Sequence, residues 1–340
     1  VRVCFLVLVH NNVQHFERLI SALSAPETGI FLHIDKKADA RPFEEIAARY
    51  GCTIAENRVQ INWGGWTMVQ ATLNLMKCAL NSGQEYDYFC LISGGDYPLR
   101  PVSGLLEFFS VDPRIDYIRS VPMTDADKSK PISRITKFRF EVPNPVRRSH
   151  IHQRVKRKLN LWIEALPIAR DYEKALKVHP CAGSQWWALT HSTVRSIMNF
   201  VDDHPSFTGF FRNTFVPDES FFQTVLERVD LGTPRRLHLT YTDWSRPTPP
   251  YPAIIDASHL EMLVENGSVV TDASGSRAVL FARKFPNDSA ALVKQVQRTL
   301  WTCPIPAIST EAKGNDGSDL AGKEFGAMDF GGQDQMLGGR

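Results

Sequence analysis

Hydrophobic and polar positions alternate between two periods over the first 120 residues. Residues 1–9 form a nearly continuous Val/Leu/Phe run, the pattern of a strand covered on both faces. Residues 13–24 then place Val13, Phe16, Leu19, Ile20 and Leu23 at helical spacing. Residues 30–34 read as a second strand, 42–49 as a helix and 58–62 as a short third strand. An amphipathic helix over 67–80 carries Val69, Leu73, Met76 and Leu80 on one stripe, and 86–92 form another buried strand. This βαβαβαβ order predicts an α/β fold with a mainly parallel central sheet flanked by helices. Ligands in such sheets sit at the carboxyl ends of the strands. Three polar clusters fall there: His10-Asn11-Asn12, Asp35-Lys36-Lys37 and Ser93-Gly94-Gly95-Asp96.

The pattern is less regular further on. Residues 121–150 are polar, with prolines at 122, 131, 143 and 145, and read as a long loop. Residues 151–176 read as a basic helix followed by a helical segment, 185–190 as a strand, and 191–203 and 218–228 as helices. A strand over 236–242, a turn-rich stretch over 245–252, a helix over 257–264, a strand over 278–282 and a helix over 288–300 complete the pattern. From about residue 306 the chain is rich in Gly, Asp, Lys and Ser without periodicity, the composition of a disordered tail or linker. One domain over 1–305 is expected, with 1–120 and 121–305 as its two halves.

Composition narrows the function classes. Hydrophobic residues are 43% and charged residues 22% of the chain, which excludes disorder for its bulk. No apolar run approaches the roughly 18–20 residues of a membrane span. A net charge of +2 argues against a dedicated nucleic-acid binder. The six cysteines are widely spaced with no CxxC pair, so no zinc motif is visible and reduced thiols are expected. These features point to a bacterial cytoplasmic protein, with a place at the periphery of the inner membrane left open. Asn266-Gly-Ser and Asn287-Asp-Ser match the glycosylation sequon, a pattern short enough to arise by chance.

The chain lacks GxGxxG after its first strand and any Walker, HExxH or GxSxG sequence, which removes the simplest dinucleotide, P-loop, zincin and hydrolase readings. Five clusters remain. Trp63-Gly64-Gly65-Trp66 offers close backbone approach and an indole face for a base or sugar, or else a tight turn with two core tryptophans. Ser93-Gly94-Gly95-Asp96 stands at a strand exit with a single carboxylate, a poor cage for Mg²⁺ or Mn²⁺. A literal Asp125-Ala-Asp127 lies in the polar loop instead. Gly183-Ser184-Gln185-Trp186-Trp187 suits carbohydrate stacking or core packing. Pro217-Asp218-Glu219 would start a helix, where acids serve the helix dipole or act as a general base. Arg283-Lys284 leaves a strand as a pair of cations, either solvated or set to neutralise a phosphate.

Together these clusters resemble the core-2/I-branching β-1,6-N-acetylglucosaminyltransferase family, which includes the peptide O-xylosyltransferases. The resemblance runs in order through Val9-His10, His33-Ile-Asp35, Trp63-Gly-Gly-Trp, Ile92-Ser-Gly-Gly-Asp96-Tyr-Pro, Gly183-Ser184-Gln-Trp186, Pro217-Asp218-Glu219-Ser, Tyr241-Thr-Asp-Trp244-Ser and Leu280-Phe-Ala-Arg283-Lys284-Phe285. It implies an inverting transferase with a GT-A-like fold and no obligatory metal or other cofactor. A UDP-sugar is the implied donor, GlcNAc ahead of xylose, and a glycan or glycoconjugate hydroxyl the acceptor. Glu219 occupies the place of the family's general base and Lys284 that of its diphosphate-binding lysine. Arg246 and Arg283 are both candidates for its diphosphate-binding arginine. Val9, His10, Asp35, Trp63 and Asp96 fall at the donor, with Asp35 and Trp63 toward the uridine. Gly183, Ser184, Trp186, Asp218, Tyr241 and Trp244 fall toward the acceptor. A non-catalytic carbohydrate-binding protein on the same fold and a nucleotidyltransferase are the rival readings.

Overall fold

The computed structural model describes residues 1–141, 155, 158–163, 166, 168–246, 250–272 and 275–304. The strands, in chain order, are β1 (Val3–Val9), β2 (Thr28–Ile34), β3 (Thr53–Ile54), β4 (Tyr88–Ser93), β5 (Asp96–Pro98), β6 (Asp116–Tyr117), β7 (Val121–Pro122), β8 (Cys181–Ala182), β9 (Trp187–Thr190), β10 (Arg235–Arg236), β11 (Thr240–Thr242), β12 (Val269–Asp272), β13 (Gly275–Ala278) and β14 (Phe281–Arg283). A seven-stranded sheet runs β10-β6-β9-β4-β1-β2-β3. Its pairs are parallel except those of β9, which runs antiparallel to both β4 and β6. The α/β class with a mainly parallel, helix-flanked sheet is therefore present.

Strand β1 is apolar throughout because both its faces are covered. Cys4, Leu6 and Leu8 enter a core shared with the helix Trp66–Leu80. Val3, Phe5, Val7 and Val9 enter the opposite core, shared with the helices Val13–Leu23 and Val102–Val111. A smaller sheet, β11-β14-β5, packs beside the first. Its own core joins Tyr97 and Phe285 to Leu260 and Leu263 of helix Ala257–Glu265 and to Val293 and Val296 of helix Ala290–Thr299.

Several elements depart from the periodicity. The third strand is Thr53–Ile54, and 58–62 carry no strand. That stretch is pinned instead by local bonds, with Val59 N–H donating to His33 Nε2 at 2.9 Å. Residues 217–219 form a separate 3₁₀ turn, and the following helix starts at Phe221. The 236–242 strand is two short ones, β10 and β11. Helices Val102–Val111 and Pro205–Phe211 had no predicted counterpart. The first does carry a helical period, with Ser103, Glu107 and Ser110 on an exposed face opposite buried Leu105, Phe108 and Phe109. Most of the expected basic helix after 151, residues 142–150 of the expected loop and the 306–340 tail lie outside the described residues. The six cysteines are unpaired. Among the described residues no helix is long and apolar enough to cross a membrane.

Candidate active site

Three strand-end loops are stitched together at the carboxyl edge of the sheet. Gly94 N–H donates to Leu8 O at 2.9 Å, Phe285 N–H to Gly95 O at 2.8 Å, and Asn12 Nδ2 to Phe285 O at 3.3 Å. A Cβ on Gly94 would stand 2.6 Å from Val9 Cγ2, so the closure of these loops requires glycine there. His15 ties the same loops from below, with Nε2 on Asp96 O at 2.9 Å and Nδ1 on Ser289 Oγ at 2.7 Å. His10, Asp35 and Lys284 meet at this edge. Desolvation, then the Lys284 ammonium, lower the His10 pKa, and Asp35 opposes them. Asp35 is buried and takes Lys37 through the backbone N–H at 2.9 Å and through Nζ at 3.5 Å. Val9 is buried, so it presents backbone and not side chain to this edge.

Lys284 has a half-buried side chain beside Gly95. Burial, then the neighbouring Arg283 charge, lower its pKa. Among the described residues no carboxylate pairs with it. Arg283 is committed elsewhere, with Nε 3.2 Å from Asp96 Oδ1 and its guanidinium 4.2 Å above the Trp186 ring.

Two of the expected site residues are buried here. Asp96 is fully buried, with its carboxylate taken by Arg283, by Ser93 Oγ at 2.5 Å and by Ser93 N–H at 3.0 Å. Its carboxylate holds Arg283 and the strand exit. Trp186 is also buried, with one ring face under Arg283. It is a platform for a cation and not an open sugar face. The sequence pattern could not separate these roles, because both residues sit where an exposed ligand group would sit.

The second centre is the Pro217–Glu219 turn. Val216 before it adopts φ 50°, rare for a β-branched residue, and its N–H donates to Gly64 O at 3.1 Å. That bond sets the turn against the Trp63-Gly64 loop. Trp63 is 58% exposed and meets Phe215 edge-on at 5.9 Å. Trp66 instead packs on Phe221 in the core. Glu141 packs against Gly65, its carboxyl carbon 2.3 Å from where a Cβ would stand, so any larger residue there would displace that side chain.

Glu219 is held through one oxygen. Lys130 Nζ is 2.5 Å and Arg134 Nη1 2.9 Å from Oε2. Oε1 has no partner among the described residues. Burial raises the Glu219 pKa, but Lys130 and Arg134 outweigh it and hold the carboxylate below its usual range. Its neighbour behaves oppositely. Asp218 is buried with Oδ1 unpartnered, and burial, then the Glu219 charge, push it up to about 7. Gly183 completes the centre: its N–H donates to Glu219 O at 2.8 Å and its O accepts Lys130 Nζ at 2.7 Å. A Cβ on Gly183 would fall 1.7 Å from Arg119 O. Ser184 gives its carbonyl to Gln223 Nε2 at 2.8 Å.

The Asp218 shift has a sign that can be checked. A carboxyl with a raised folded pKa holds its proton longer when folded, so stability falls as pH rises from its unfolded value, near 4, to about 7. Asp218→Asn removes that loss. The variant is expected to melt above the wild type at pH 8 and close to it at pH 4. Equal offsets at both pH values in thermal melts would refute the buried, protonated Asp218.

Tyr241, Trp244 and Arg246 form a third group beside Lys284. Strand β11 pairs with β14, Thr242 opposite Arg283, and Ile255 N–H donates to Lys284 O at 3.0 Å. Burial, then Asp243 and Asp256, raise Tyr241 to about 12. Trp244 is half exposed. Arg246 pairs with Asp256 at 2.8 Å and Asp243 at 4.0 Å, so both arginine candidates already carry carboxylate partners.

Residue reasoning from sequence missed Lys130, Arg134 and Glu141. All three lie in the polar proline-punctuated stretch, where no period marks a functional position. The spacing Lys130-x-x-x-Arg134 was the available signal, because its second half forms the short helix Ser133–Thr136.

A family model described as Core-2/I-Branching enzyme matches residues 3–264. Drosophila melanogaster xylosyltransferase oxt is 25% identical over 318 residues, covering 88% of this chain and 34% of that protein. Human xylosyltransferase 2 is 26% identical over 254 residues, covering 72% of this chain and 27% of that protein. Human beta-1,3-galactosyl-O-glycosyl-glycoprotein beta-1,6-N-acetylglucosaminyltransferase 3 is 30% identical over 102 residues, covering 29% of this chain and 23% of that protein. The chain thus spans about a third of the length, or less, of these curated relatives.

Proposed function

Because the chain belongs to the Core-2/I-branching enzyme family, we propose that it moves a sugar from a UDP-sugar to a hydroxyl of a glycan acceptor. Attack opposite the UDP inverts the anomeric centre and gives a β-linkage. The observation that carries this reading is the asymmetric Glu219 carboxylate, with Oε2 fixed by two cations and Oε1 open. An open oxygen on an oriented, ionised carboxylate can accept the acceptor hydroxyl's proton. Its lowered pKa keeps it ionised at neutral pH and makes it a weaker base, so leaving-group stabilisation must carry more of the barrier.

Lys284 supplies that stabilisation. It is a desolvated ammonium without a carboxylate partner among the described residues, at the strand edge where ligands of such sheets bind. UDP leaves as an anion, and a preorganised cation stabilises the charge as it develops. Asp35 and exposed Trp63 are assigned to the uridine end; Tyr241 and Trp244 are assigned to the acceptor.

No obligatory metal is proposed. The single carboxylate at the DxD-like strand exit, Asp96, is already bound by Arg283, and one engaged carboxylate does not make a divalent-cation cage. GlcNAc is the first donor proposed. UDP-xylose is the second reading, favoured by the names of the relatives that cover most of this chain. The test is UDP release from each donor, with a glycan acceptor library, in the presence and absence of EDTA. Release that persists in EDTA with one of the two donors is expected. Loss of release in EDTA with recovery on Mn²⁺ would refute the metal-free reading.

A further inference from the structure

Three buried hydrogen-bonding atoms near Glu219 lack a partner among the described residues: Arg119 Nε, His238 Nδ1 and Arg277 Nε. The topology brings them together. Strands β6 and β10 run parallel, with Tyr117 opposite Arg236 and Ile118 N–H donating to Arg236 O at 2.8 Å. Two residues further along both chains, this register sets His238 beside Arg119. Strand β13 lies over the same place, since a Cβ on Gly275 would meet Leu237 Cδ1 at 3.7 Å. Arg277, two residues on, acts on His238 together with Arg119 and Lys130. The link to Glu219 runs through two residues, Gly183 and Lys130. The Arg119 carbonyl abuts Gly183, Gly183 O accepts Lys130 Nζ, and Lys130 binds Glu219.

Charge in this corner is unbalanced. Glu219 takes Lys130 and Arg134, and Asp272, itself 43% exposed, takes Arg277. Arg119 has no ion pair among the described residues, and the carboxylate it acts on, Asp127, is also bonded to Ser129 and Lys130. Burial, then Arg277 and Arg119, lower His238 to about 3, so at neutral pH it is an uncharged hydrogen-bonding group beside cations. Buried polar atoms left unsatisfied are costly and rare in native structures, and here three share one corner.

We infer that the Arg119–His238–Arg277 corner is a subsite for a negatively charged group on the acceptor, a carboxylate or a phosphate, adjoining the hydroxyl that faces Glu219. This rests on the transferase reading for its acceptor, but the ligand chemistry is that of the corner itself. An anion here would receive charge-assisted hydrogen bonds and select acidic glycans over neutral ones.

The test measures binding of three probes, methyl β-D-glucuronide, methyl β-D-glucoside 6-phosphate and methyl β-D-glucoside, by titration with UDP saturating. UDP occupies the Lys284 edge, so the charged probes cannot gain by binding there. A preference of about tenfold for a charged probe over the neutral one is expected, the size of one net charge-assisted bond. Preference for the glucuronide, the phosphate or both supports the subsite and identifies its anion. Arg119→Gln is expected to abolish the preference and Arg119→Lys to keep part of it, both with unchanged UDP affinity. Equal binding of all three probes, or a preference that survives in Arg119→Gln, overturns the inference. Failure of UDP to bind the wild type sinks the donor reading instead, and the probes are then compared without it.

Discussion

Glu219→Gln is expected to slow transfer by about 10²–10⁴-fold, the usual contribution of general-base catalysis. The amide keeps the shape and still offers an oxygen to Lys130 and Arg134, but it cannot take a proton at Oε1. UDP affinity should stay near the wild-type value, because the base acts on the acceptor and not on the donor. A second measurement separates this from a structural role. Glu219 has a lowered folded pKa, so its stabilising pairs persist above the ordinary glutamate range and are lost as pH falls through the lowered value. The variant lacks the charge at all pH values. Its melting temperature should fall relative to wild type at neutral pH, and the gap should close in acid. Near wild-type turnover in Glu219→Gln would end the general-base assignment, whatever the melting data show.

The sheet was legible because its strands are covered on both faces. Val3–Val9 and Tyr88–Ser93 are apolar at both parities, and their ends carry the polar loops that build the site. Lys284 and Glu219 stood out only as members of an ordered set of short motifs, since a cation at a strand end and an acid at a helix start have ordinary explanations. Physical reading of single clusters failed where burial decides. Asp96 and Trp186 have the residue types of a ligand site, yet Arg283 lies between them and uses both. Nothing local in Asp96-Tyr97-Pro98 announces a partner at position 283, because the pairing of β5 with β14 is long-range and antiparallel. The same holds for Lys130 and Arg134, which reach Glu219 across 85 residues or more of chain.

Lys284→Met should uncouple UDP binding from the fold. The ammonium is desolvated beside Arg283 and has no carboxylate partner among the described residues, so its pKa is lowered. A cation in that position is unfavourable until an anion arrives. Replacing it with an apolar side chain of similar length removes the unfavourable charge, so the apo variant is expected to melt at or above the wild-type temperature. UDP, by contrast, loses a charge-assisted bond worth about 1.5–3 kcal/mol, which corresponds to affinity weaker by roughly 10–150-fold. The rise in melting temperature that UDP gives the wild type should shrink accordingly. The sign in pH follows from the same shift. A lowered lysine pKa means that wild-type UDP affinity declines as pH rises through a value below the usual lysine range. The variant should show no such decline from this site. Trp63→Ala is the control on the uridine end: it removes an exposed indole, so UDP affinity should fall more modestly and the alkaline decline should remain. A Lys284→Met protein that binds UDP as tightly as wild type, at neutral and at alkaline pH, would place the diphosphate away from the β14 strand end.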